Sequence, residues 1–70
     1  MSLPTKADSE ILELMVDRVS LYEVLSMLEA ICTEKADHIE ITYGDKDLAA
    51  MWMKAGSDIC EASSGTVAKL

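Results

Sequence analysis

The stretch Ile39-Glu40-Ile41-Thr42-Tyr43-Gly44-Asp45 decides the fold. Its first five residues alternate apolar and polar and include β-branched side chains, which is the pattern of a strand. Its last two have a different signature. Glycine takes the left-handed conformation just past a helix C-terminus, and aspartate accepts from the free amides of a new helix N-terminus. A strand at 39–43 has no partner elsewhere in the chain, so the segment is expected to be helical unless two copies pair through it. With helices on both sides, a two-residue connection makes them antiparallel neighbours.

Upstream, Leu21, Leu25, Leu28, Cys32, Ala36, Ile39 and Tyr43 recur at steps of three and four, which places one apolar stripe on a helix of about 21–43. Val24, Met27 and Ile31 widen that stripe in its first half. Ser20-Leu21-Tyr22-Glu23 has the spacing of a capping box, with the Ser20 hydroxyl accepting from the Glu23 amide and the Glu23 carboxylate reaching back to the Ser20 amide. Val19 and Val24 stand at the positions of the accompanying hydrophobic staple, so the chain is expected to break at Ser20. Before that break Ile11, Leu12, Met15, Val16 and Val19 mark a shorter helix, about 8–18, with Asp8 or Ser9 as its cap and Pro4 ending whatever precedes it.

Downstream, Leu48, Trp52, Ala55, Ile59 and Ala62 form one stripe of a third helix, about 46–63, and Ala49, Met53, Gly56 and Cys60 form the adjacent one. Ser63-Ser64-Gly65 ends it, and residues 65–70 are expected to fray. The predicted fold is all-α: one small domain, 1–70, with a short first helix followed by a long antiparallel hairpin.

Half of the 70 residues are hydrophobic. Domains this short are marginal as monomers and commonly add a staple, a metal or a partner chain. The apolar surplus predicts a homodimer with two-fold symmetry, two hairpins closing into a helical bundle. The residues expected to pack the core or the dimer are Leu21, Leu25, Leu28, Cys32, Ile39, Leu48, Trp52 and Ile59, with Trp52 as the central plug.

Six basic residues stand against thirteen acidic ones, a net charge of −7. Such a surface repels phosphate backbones, which argues against direct nucleic-acid binding and favours a basic protein surface as partner. The first residues carry no apolar run of leader type, and no stretch approaches a membrane span. A cytoplasmic chain with reduced thiols is the expectation.

The central segment Cys32-Thr33-Glu34-Lys35-Ala36-Asp37-His38-Ile39-Glu40 holds the only histidine and one of two cysteines. On a helix turning about 100° per residue, Cys32 and His38 point roughly 120° apart, so they neither share a metal nor form a thiol–base pair. Glu34 and His38 share a face at i, i+4, but zinc takes about four ligands. The Glu-x-x-His element of di-metal bundles is one residue shorter than Glu34 to His38. No catalytic, cofactor-binding or metal-ligating residue is expected. The pair reads as mutual support on an exposed turn, and Lys35 flanks the apolar stripe beside it. Cys32 and Cys60 come to similar heights in an antiparallel pair, so a disulfide is geometrically open, but two buried free thiols are favoured.

Asp17-Arg18-Val19-Ser20-Leu21, Val24-Leu25, Ile31-Cys32, Glu34-Lys35-Ala36-Asp37-His38, Leu48-Ala49, Trp52 and Lys54-Ala55 together resemble short helical proteins of unknown function from bacterial and bacteriophage genomes. The likeness covers about half of the chain, and it departs at Glu40-Ile41-Thr42-Tyr43, where those proteins carry a more polar segment. It implies a helical hairpin and no activity, and it marks Glu34, Lys35, His38 and Trp52 as the candidate functional surface. The function expected is a non-enzymatic interaction or regulatory module acting as a homo-oligomer, with Met15, Met27, Met51 and Met53 available for an adaptable surface. The alternatives are an acidic nucleic-acid mimic that inhibits a basic protein surface, and a metal or catalytic site assembled at a dimer interface from Cys32, Glu34, Lys35 and His38.

Overall fold

Residues 39–43 are helical. In the computed structural model, which describes residues 3–70, the chain runs α1 (Lys6–Val19), α2 (Leu21–Tyr43), α3 (Lys46–Ala62) and a short 3-10 turn at Thr66–Lys69, with no strand among the described residues. The expectation for residues 1 and 2 lies outside that range. Gly44 closes α2 at φ 64°, and its amide donates to the Glu40 carbonyl at 3.0 Å. Asp45 opens α3 with its Oδ1 accepting from the Leu48 amide at 2.9 Å. These two residues turn the chain back on itself, and α3 packs along α2.

Three details at the helix ends differ from expectation, although the break at Ser20 falls where expected. The first helix begins at Lys6, not near Asp8, because Thr5 takes the cap. Its Oγ1 accepts from the Asp8 amide at 3.2 Å while the Asp8 carboxylate accepts from the Thr5 amide at 2.9 Å. Asp8 therefore completes a capping box and does not initiate the helix. At Ser20 only half of the expected box forms. The hydroxyl accepts from the Glu23 amide at 3.3 Å, but the Ser20 amide donates to the Val16 carbonyl at 2.9 Å and so is not free for the Glu23 carboxylate. Ser20 ends one helix and starts the next, at φ 97° and ψ 157°. At the C-terminus α3 stops at Ala62. The residues beyond it fold into the 3-10 turn, which packs on α2 with Val67 half-buried, so the frayed tail is not observed.

The buried residues are mostly small. Cys32 and Ala36 of α2 meet a face of α3 that carries Ala49 and Gly56, Val24 is buried nearer the start of α2, and Ser63 closes the end with its hydroxyl donating to the Cys60 carbonyl at 2.8 Å. A Cβ placed on Gly56 would stand 3.3 Å from the Cys32 Cβ and 3.7 Å from the Glu29 carbonyl oxygen. Glycine and alanine thus let the two backbones come close, and α3 turns its Ala49–Gly56 stripe inward. Of the larger residues expected to pack, Leu21, Leu25, Ile39, Trp52 and Ile59 are half-buried, whereas Leu28 and Leu48 are each 40% exposed. Trp52 is therefore not an enclosed plug.

This outcome follows from shape. The body measures 38 × 29 × 15 Å, so its thinnest dimension is about half of its middle one. Helices laid nearly side by side have two broad faces and enclose little. The accessible surface is 5614 Å², whereas a compact monomer of this mass exposes about 4,300 Å².

Candidate functional site

Glu34, Lys35 and His38, the polar residues singled out in the sequence, are all exposed on the second half of α2. The structure does not bring Glu34 and His38 together as a pair. The His38 ring turns toward the C-terminal end of its helix, with Nδ1 3.4 Å from Thr42 Oγ1 and the ring edge-on to Tyr43 at 6.0 Å between centroids. The one ion pair among the described residues joins Lys54 to Asp58 on the open side of α3. Lys35 makes none. Helical rise explains the His38 geometry, because a side chain at i reaches i+4 on either side and the Thr42 hydroxyl is there to meet it.

Both thiols are free. Cys32 is buried in the α2–α3 seam against Gly56, and Cys60 is exposed, which corrects the expectation of two buried thiols. No three His, Cys, Asp or Glu side chains converge as a ligand set among the described residues.

The prominent surface features are apolar. No residue of α1 is buried, and Ile11 and Leu14 are 58% and 68% exposed. They line an open depression of about 470 Å³ with Met15, Asp17 and Arg18. A second depression, about 290 Å³, lies on α3 and is formed by Leu48, Met51, Trp52 and Ala55, with Met51 68% exposed. Met27 and Met53 are exposed as well. Acidic groups border the first of these surfaces, since Glu10, Glu13 and Asp17 surround Leu14. Trp52 is the one member of the sequence-derived surface that joins an apolar depression. Ile11 was missed because the apolar stripe it belongs to implies burial, Leu14 because it stands outside that stripe, and nothing in α1 alone says that its outer face stays open.

Compared with known proteins, the chain matches no family model, no curated protein and no solved structure. No helix among the described residues is long and apolar enough to cross a membrane.

Proposed function

We propose that the chain is a small non-enzymatic interaction module that closes as a homodimer through its apolar faces and presents an acidic surface to a further protein in the cytoplasm. The observation that carries this is the surface surplus. The single chain exposes about 1,300 Å² more than a compact monomer of its mass, and its exposed side chains include Ile11, Leu14, Leu28, Leu48 and Met51. A standard interface removes only about 800 Å² from each partner, whereas an obligate homodimer removes about 1,000–2,500 Å², so the surplus is of the size that one mate covers in an obligate homodimer.

The test is solution mass by light scattering across a dilution series, with bound metal measured on the same sample. A metal-free dimer is expected. A monomer at every concentration overturns the proposal, and a stoichiometric metal overturns its non-enzymatic, metal-free character. Salt adds a second discriminant. Two copies at −7 repel each other, so added salt tightens the homodimer, while it loosens any complex with a basic partner. The same net charge favours a second reading, an acidic mimic of nucleic acid held on a basic protein surface. Salt-sensitive capture of a nucleic-acid-binding protein, competed by DNA, is its test.

A further inference from the structure

Ser20 is the only residue between α1 and α2, and it sits at φ 97°, ψ 157°. That region is essentially restricted to glycine, and a side chain held there stores backbone strain. Such strain persists where neighbouring structure enforces it. Here the enforcing element is α1, which packs on α2 and has no buried residue, only the half-buried Met15, Val16 and Val19. A strained one-residue hinge beside a weakly held helix is the arrangement that favours exchange of that helix between copies.

The sequence supports the straightened alternative. Ala7, Ile11, Leu14, Arg18, Leu21, Leu25 and Leu28 follow one another at alternating steps of four and three, the repeat of a helix–helix seam. If Ser20 becomes helical, Ile11 and Leu14 fall into line with Leu21, Leu25 and Leu28, interrupted only by Arg18. In the bent conformation the same two residues face solvent. Straightening therefore removes the strain and completes a self-complementary apolar stripe in one step. The surface surplus sets the size of the occupant as that of another chain.

We infer that the second copy is taken up by exchange of α1: Ser20 straightens, α1 and α2 join into one helix from Lys6 to Tyr43, and each α1 packs on its partner's hairpin while the extended seam binds its twin. This rests on the homodimer proposed above, and the experiment separates the two. Ser20→Gly relieves the bend and weakens a continuous helix, whereas Ser20→Ala removes the cap and favours continuity. In dilution light scattering, Ser20→Gly is expected to raise the dimer dissociation constant at least tenfold and Ser20→Ala to lower it. In wild-type dimers, a label pair at positions 6 and 43 of one chain, diluted with unlabelled chain, is expected to read about 55 Å, well beyond the 38 Å longest dimension of the bent chain. A wild-type monomer at all concentrations overturns the homodimer and the exchange together. A dimer whose affinity is indifferent to both substitutions, or whose labels stay within 40 Å or so, as the bent dimensions require, overturns the exchange alone.

Discussion

Replacing Gly56 tests the packing on which the hairpin depends. An added Cβ would stand 3.3 Å from the Cys32 Cβ and 3.7 Å from the Glu29 carbonyl oxygen, the first a little inside the ~3.5–4.0 Å optimum for carbon atoms. Gly56→Ala therefore sets a small steric cost against the ~1 kcal/mol of helix propensity that alanine regains, and the melting temperature should stay within about 5 °C of wild type. Gly56→Leu has no such balance. Its further carbons must enter the seam, where overpacking costs about 1–3 kcal/mol, or force the helices apart and lose the Ala36 and Ala49 burial as well. After the propensity gain, a net loss of about 1–2 kcal/mol is expected, which is about 4–16 °C in melting temperature for a domain of this size. That is a large share of the ~4–10 kcal/mol available to 70 residues. Thermal unfolding by far-UV circular dichroism, read at two protein concentrations to separate folding from assembly, measures it. Ser57→Leu at the exposed neighbouring position is the control. A Gly56→Leu variant as stable as Ser57→Leu would refute close approach of α2 and α3 at this point.

Gly44→Ala places a side chain at φ 64° and should cost about 1 kcal/mol, seen as a fall of about 4–8 °C in melting temperature, with Gly44→Asn recovering much of it. Trp52→Ala should stay folded because the ring is only half-buried, yet weaken the dimer about thirtyfold in dilution experiments, the loss expected of an aromatic interface anchor worth about 2 kcal/mol; an unfolded variant would instead assign the ring to the chain's own core. His38→Ala removes contacts only with the exposed Thr42 and Tyr43, so melting temperature should move by no more than the effect of about 0.5 kcal/mol, and dimer mass should not change. A loss of dimer would place the ring in an interface.

The helices were legible because local signals set them. Steps of three and four, the Gly44–Asp45 pair and the Ser20 hydroxyl each act within one turn of chain, and α2 and α3 run almost where those signals put them. Thr5 was not preferred over Asp8 as the first cap because both residue types cap helices, and Thr5 follows a proline that reads as chain outside the helix. Which face of α3 turns inward was not legible. Leu48 and Trp52 on one stripe and Ala49 and Gly56 on the next are both apolar, and the choice between them belongs to the pair of helices. It depends on how closely Cys32 can approach Gly56, and a single-helix pattern carries no information about that distance. The conformation of Ser20 was hidden for a similar reason, since a glycine there would have announced a positive φ and a serine announces only a cap. The Glu34–His38 pairing failed because i, i+4 spacing makes neighbours on both sides, and His38 has Thr42 as well as Glu34 within reach.

Small residues inside and large residues outside invert the usual division, and under the proposed dimer that inversion would link the packing of one chain to its assembly with another. Burying a leucine stabilises by about 1.5–3 kcal/mol relative to leaving it in water, and Leu14, Leu28, Leu48 and Met51 lose much of that in the isolated chain. Filling the seam with larger side chains would not recover it, because two helices held apart by bulk still leave the flanks of a flat body open. Only a second layer covers those flanks. A close-packed small-residue seam keeps the hairpin in register with few contacts, and so frees the bulky side chains for that layer. The hinge acts in the same direction, since a bend strained at Ser20 makes the isolated chain the less favourable of the two states wherever assembly lets it straighten. In the proposed dimer, packing within the chain and strain at its hinge would therefore both shift stability from the monomer to the assembly, where the apolar faces of α1 and α3 would find cover.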